Sequence, residues 1–126
     1  MQSVERNGAE KPTLLELVLR VQGEFRRSLE PLQVTPLQAG VILFLRRHED
    51  GRVKDLATAF CLKLPTVVDV VNILERKRWV GRRPSEKDGR AVCLRLSRQG
   101  EALAREIEAQ IRDVRSDLTP IKEVSL

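Results

Sequence analysis

The chain of 126 residues contains one histidine, two cysteines, one tryptophan, three phenylalanines and no tyrosine. The single histidine, His48, ends a helical run, where a C-terminal dipole position explains it without a catalytic role. Cys61 and Cys93 lie far apart and show no metal-ligand spacing. With no nucleophile–base pair, ligand cluster or Gly-rich phosphate loop, the composition predicts a protein that is not an enzyme and uses no metal or cofactor. Long apolar runs are also missing. The longest, residues 41–45 (VILFL), falls far short of the roughly 20 residues that a membrane helix needs. The opening MQSVERNGAEK lacks the apolar core of a signal peptide, and residues 1–12 are expected to form a disordered lead-in. These absences predict a cytoplasmic protein with reduced thiols, both cysteines acting as small core residues.

What is present is charge, unevenly placed. The 23 basic and 18 acidic residues give a net charge of +5. Residues 76–90, RKRWVGRRPSEKDGR, hold seven basic and two acidic side chains, so the rest of the chain is neutral. A basic cluster of this kind is the electrostatic footprint of a polyanionic partner, nucleic acid above all, although charge alone also fits a solubilising face. With 41% hydrophobic residues, the length fits one globular domain.

Capping patterns and apolar periodicity organise the chain. Thr13 and Glu16 form a capping box before a helix whose inward residues are Leu14, Leu17, Val18, Val21, Phe25 and Leu29, ending at Pro31. Thr35 and Gln38 form a second, with Pro36 in the first turn, opening a strongly apolar helix that stops before Asp50-Gly51. A short extended piece at Arg52-Val53 leads into a brief helix, DLATAF, stopped by a turn at Cys61-Leu62-Lys63. Pro65 starts the next helix, PTVVDVVNILERKR, with Val67, Val70, Val71 and Leu74 inward. The period then changes to two strands, Trp79-Val80 and the Val92, Leu94, Leu96 alternation, joined by a charged turn. Ser97 caps a last helix over residues 98–118, and Thr119-Pro120 could open one more.

Two short helices joined by a tight turn and followed by a basic hairpin describe a winged helix-turn-helix. The helix starting at Pro65 suits a major groove, its N-terminal N–H groups suit phosphate, and a narrow hairpin tip can reach the adjacent minor groove. The stretch DGRAVCLRLSRQG, residues 88–100, also resembles the wing signature of the MarR (multiple antibiotic resistance regulator) family of bacterial transcription factors: Asp-x-Arg-Ala/Ser, an apolar alternation ending Leu-Ser/Thr, then x-x-Gly. The similarity runs over roughly residues 13–118. The resemblance implies that Arg90 enters the minor groove while Asp88 braces the wing, that Arg82 and Arg83 lie along the phosphate backbone, and that residues 65–77 form the recognition helix. It further implies a homodimer built by the first and last helices and release of DNA by a small-molecule effector, whose class no constellation of side chains assigns. Oxidant-sensing relatives carry their reactive cysteine in the first helix, where this chain has none.

The expected architecture is therefore mainly α with a small β-hairpin: one domain over residues 1–126, with a winged helix-turn-helix at 33–97 and dimerisation helices at 13–31 and 98–126. The expected DNA-contacting residues are Lys63, Pro65, Thr66, Val68, Asp69, Asn72, Ile73, Arg82, Arg83, Lys87, Asp88 and Arg90, acting on a near-palindromic double-stranded operator. Val68 and Asp69 depart from the family, whose recognition helices often carry Ser or Thr and then Arg, so base preference does not carry over. An Asp69 in the groove needs a cytosine amino group, or else it is a solvated helix residue; Val68 and Ile73 could meet thymine methyls. Asn72 is either a phosphate contact or plain helix surface, and Asp88 with Arg90 could be no more than a surface ion pair. The short TPIKEVSL end departs from the full final helix usual in the family. The rival function is a winged helix that binds protein or RNA without operator specificity.

Overall fold

The computed structural model describes residues 11–114 as five helices and one hairpin in the order α1 (Leu14–Leu29), α2 (Pro36–Arg47), α3 (Val53–Ala59), α4 (Leu64–Arg76), β1 (Val80–Pro84), β2 (Val92–Leu96) and α5 (Arg98–Ile111). A 3-10 turn, Glu30–Leu32, links α1 to α2. This is the predicted mainly helical winged fold. The expectations for the lead-in at residues 1–10, for the last helix beyond residue 114 and for Thr119-Pro120 lie outside the described residues.

Both predicted capping boxes form. The Thr13 and Thr35 hydroxyls accept the N–H groups of Glu16 and Gln38 at 3.1 Å each, and those two side chains accept the Thr13 and Thr35 N–H groups in return. The bonds that Thr13 donates hold the exposed Glu16 carboxyl below the usual carboxylate range.

Helix α3 begins at Val53, two residues earlier than expected, because Arg52 is its extended N-cap and the Asp55 carboxylate accepts the Arg52 N–H at 2.9 Å. The short strand expected at Arg52-Val53 is thus reduced to one backbone bond, from Leu94 N–H to Gly51 C=O at 2.8 Å.

Helices α3 and α4 both end in a Schellman motif: Leu62 N–H bonds to Ala57 C=O (2.9 Å), and Trp79 N–H to Leu74 C=O (3.0 Å). The left-handed residues are Cys61 (φ 54°) and Arg78 (φ 63°) rather than glycines. That geometry corrects one expectation. Cys93 is fully buried, but Cys61, at the left-handed turn position, is exposed.

The core is shared by every layer. Val41, Ile42 and Leu45 of α2 pack with Leu56 of α3, Val67, Val71 and Leu74 of α4, Val80 and Leu94 of the hairpin, and Leu103, Ala104 and Ile107 of α5. The apolar stripe of α5 is therefore consumed within this one chain. Helix α1 differs: it buries Leu17 and Leu29 but leaves Leu14, Leu15, Val18 and Leu19 between 47% and 66% exposed. Among the described residues no single helix is long and apolar enough to cross a membrane.

Helix α5 is locked to the hairpin base at its first turn. The Ser97 hydroxyl accepts the Gly100 N–H at 3.0 Å and donates to Arg78 C=O at 2.7 Å, while Ser97 N–H bonds to Trp79 C=O at 3.0 Å. Gly100 is required here, since a Cβ would lie 2.1 Å from the Trp79 carbonyl oxygen.

Candidate nucleic-acid interface

Helices α3 and α4 turn by 118° across the break at residues 60–63, the angle of a helix-turn-helix. Helix α4 is amphipathic by spacing: Val67, Val71 and Leu74 are buried, while Pro65, Thr66, Asp69, Asn72 and Arg76 are exposed. Of the predicted contacts on this helix, four are fully outward, and Val68 and Ile73 are half-buried. Lys63 is the N-cap and is exposed. Leu64, absent from the predicted contacts, is the first helical residue and stands 50% exposed beside them.

The helix N-terminus offers less to phosphate than expected. Pro65 has no N–H, and the Lys63 carbonyl accepts both Thr66 N–H (3.1 Å) and Val67 N–H (3.3 Å). Of the first turn, the Leu64 N–H is what remains.

The wing is longer and stiffer than the sequence suggests. Strand β1 runs on through the basic run to Pro84, pairing antiparallel with β2 from Val80↔Leu96 to Pro84↔Val92. Arg82 and Arg83 consequently sit on a strand, not in the turn. The remaining loop is closed by Ser85, which is 4% exposed and was not among the predicted residues. Its hydroxyl accepts the N–H groups of Lys87 (3.2 Å) and Asp88 (3.3 Å), and its N–H bonds to Ala91 C=O (2.9 Å). A serine following proline at the start of a charged loop was the available signal, since Ser side chains close turns in this way. Asp88 completes the loop: its carboxylate accepts the Arg90 N–H at 3.1 Å. The brace thus acts on the Arg90 backbone. Lys87, Asp88 and Arg90 all have exposed side chains.

Two wing arginines are already occupied. Arg82 Nε donates to both Glu75 carboxylate oxygens at 3.0 Å, and Arg82 Nη2 donates to Asn72 Oδ1 at 3.4 Å. Arg83 Nη2 pairs with Glu86 at 3.3 Å. Glu75 was missed because it lies on the helix flank, seven residues before its partner. Trp79, half-buried against the core, lies under the Lys77 ammonium, 5.1 Å from the ring centroid. His48 caps α2 and stacks on Phe44, with ring centroids 4.1 Å apart.

The sequence profile of the MarR family matches residues 34–92, from just before α2 to the first residue of β2. The HTH-type transcriptional repressor MdtR of Bacillus subtilis is 30% identical over 97 residues, 77% of this chain and 63% of that protein. Over this segment the chain is similar to the MarR family.

Solved structures share this fold. The YusO protein of Bacillus subtilis superposes with a TM-score of 0.66 at 27% identity, covering 86% of this chain and 77% of that one. A cysteine-to-serine mutant of MarR from E. coli, complexed with operator DNA, superposes with a TM-score of 0.76 at 24% identity, covering 89% and 80%, which speaks for the fold. The chain spans 63% and 60% of the length of the two curated relatives it matches.

Proposed function

We propose that this chain is a regulator of the MarR family, a sequence-specific, double-stranded DNA-binding transcription factor that acts as a homodimer in the cytoplasm. The observation that carries this is the placement of an outward polar face on α4 (Lys63, Thr66, Asp69, Asn72) beside a closed wing whose exposed tip carries Lys87 and Arg90. In that arrangement α4 enters a major groove, with Thr66, Val68, Asp69, Asn72 and Ile73 toward the bases and Pro65 setting the first turn. Arg90 reaches the adjacent minor groove, Lys63 and Lys87 serve the backbone, and Arg83 joins them only by leaving Glu86. Asp88 holds the Arg90 backbone. Repression is the mode named for the Bacillus subtilis relative, and it is the mode expected here.

Dimerisation is supported by the Leu14, Leu15, Val18 and Leu19 stripe on α1, an apolar patch too continuous for a free surface. A two-fold pairing of this face would place the two recognition helices about 34 Å apart and require a near-palindromic site. A recess of about 700 Å³ between α1, α2 and α5, lined by Phe25, Leu43, Arg46, Arg47, Ile111 and Arg112, is the place for a small-molecule effector.

Selecting bound duplexes from a random pool with the purified protein tests the function. The expected product is a near-palindromic consensus with half-sites one helical turn apart. Enrichment of no duplex would overturn the proposal and favour a winged helix that binds protein or RNA.

A further inference from the structure

Resting on the DNA-binding reading above, we propose that Glu75 and Arg82 are a positioning pair that fixes the side-chain amide of Asn72, so that Asn72 meets the groove chiefly as a donor. Arg82 reaches back from β1 to α4, with its Nε shared between both Glu75 oxygens at 3.0 Å and its Nη2 on Asn72 Oδ1 at 3.4 Å. A guanidinium only donates, so the Asn72 atom that faces it must be the oxygen. The Asn72 NH2 group is thereby left to point elsewhere, and Asn72 is exposed on the outward stripe of α4.

The chemical consequence is a base preference. Asparagine reads adenine by accepting from N6–H with its oxygen while donating to N7 with its nitrogen. With one Oδ1 lone pair taken and the amide plane held by Arg82, the bidentate contact is disfavoured, because the amide cannot turn freely to meet N6–H and N7 together. Donation alone favours guanine, whose O6 and N7 both accept, or thymine O4, over the single acceptor that adenine N7 offers.

There is an electrostatic consequence too. The Arg82 and Glu75 side chains are only 38% and 31% exposed, and their opposite charges lie 3.0 Å apart. Arg82 therefore adds little to phosphate neutralisation despite its place in the basic run. Lys63, Lys87 and Arg90 carry no ion pair among the described residues, and the phosphate contacts fall to such groups. Glu75 is the switch for both effects. Removing its charge frees Arg82 for phosphate and frees the Asn72 amide to turn over.

Three variants test the pair. Asn72→Ala locates the position in the selected consensus that this side chain reads. At that position wild type should favour guanine or thymine, and Arg82→Ala should shift the preference toward adenine while leaving the salt dependence of binding near that of wild type. Glu75→Gln should steepen the slope of log affinity against log salt by about 0.9, one phosphate contact, and raise affinity for an unrelated duplex several-fold. A readout without DNA accompanies these: in the free protein the Arg82 Nε–H should give an exchange-protected NMR signal, and Glu75→Gln, which keeps one acceptor oxygen but loses the charge, should weaken that protection. If Arg82→Ala flattens the salt slope by about one unit, Arg82 is itself a phosphate contact and the proposal is wrong. It is equally wrong if adenine is favoured by wild type, or if Glu75→Gln changes neither slope nor NMR protection. In each of those cases duplex selection by wild type still stands. Failure of wild type to select any duplex, with the NMR signal intact, would instead sink the DNA-binding reading and the proposal with it.

Discussion

Replacing Asp88 separates two accounts of the wing. Its carboxylate accepts the Arg90 N–H at 3.1 Å, while its own N–H and C=O are held by Ser85 Oγ (3.3 Å) and Ala91 N–H (2.9 Å). Asp88→Ala removes only the first of these bonds. An exposed hydrogen bond of this kind contributes about 1 kcal/mol to the order of the turn, roughly a fivefold change in the population that aims Arg90. Removing an acid also relieves repulsion from phosphate: two unit charges about 5 Å apart in water interact by about 0.8 kcal/mol. The two effects oppose each other and nearly cancel, so comparing Asp88→Ala with wild type decides little. Asp88→Asn is the decisive partner, because asparagine loses the charge but keeps an oxygen for the Arg90 N–H, as in an Asx-turn. Fluorescence anisotropy on a selected duplex at several salt concentrations should place Asp88→Asn at or above wild-type affinity, with Asp88→Ala about fivefold weaker than Asp88→Asn. In the same series Arg90→Ala should lose about 1–3 kcal/mol and flatten the salt slope by about one unit. If the alanine and asparagine variants bind equally well, the carboxylate braces nothing and Asp88 is only a charge on a loop.

Four further outcomes follow from the packing. Gly100→Ala forces a Cβ to within 2.1 Å of the Trp79 carbonyl oxygen, so thermal or denaturant unfolding should show a loss of about 1–3 kcal/mol; wild-type stability would mean α5 does not dock so closely. A thiol reagent should modify Cys61 in the folded protein and reach Cys93 only in denaturant, and two fast-reacting thiols in the native state would contradict the burial of Cys93. Leu15→Asp combined with Leu19→Asp, at positions 66% and 56% exposed, should turn a dimer into a folded monomer by light scattering, and an unchanged dimer would move the interface off α1. The Glu16 carboxyl is held low in the folded chain, so its capping contribution is complete above the ordinary carboxylate range and is lost as pH falls through its lowered value; NMR titration should show it below that range, and Thr13→Ala, which removes the hydroxyl but keeps the stronger-acting backbone N–H, should raise it only part of the way.

Where structure depends on neighbours in the chain, the sequence was legible. The capping boxes at Thr13–Glu16 and Thr35–Gln38 need only a hydroxyl and a carboxylate or amide three residues on, and both formed as predicted. The Ser97 cap and the apolar spacing of α4 were readable for the same reason. Strand β1 was underestimated because Gly81, Arg82, Arg83 and Pro84 include no strong strand former. Pairing with β2 holds them extended, and that pairing is tertiary. Cys61 was misplaced because a Schellman turn is usually announced by glycine, and this one is made with cysteine. Ser85 had a local signature that went unused. Glu75 had none, since its contact with Arg82 exists only once the turn after α4 folds β1 back along the helix.

That last contact changes how the basic run should be read. By composition, residues 76–90 carry the whole net charge of +5, as though every cation in them were free for phosphate. The structure divides them. Arg82 is neutralised by Glu75, Arg83 is paired with Glu86, and Lys77 lies over the Trp79 ring. Arg76, Arg78, Lys87 and Arg90 carry no ion pair among the described residues. Two of those four flank the C-terminus of α4 and two belong to the wing tip, so the free charge sits at the edges of the hairpin while its middle is compensated. A compensated middle beside α4 lets an amide such as Asn72 act by hydrogen-bond geometry, whereas an uncompensated arginine there would draw any backbone phosphate equally. Ion pairing within the wing would then favour sequence discrimination at the expense of raw affinity, which is a use for acids that composition counts only as lost charge.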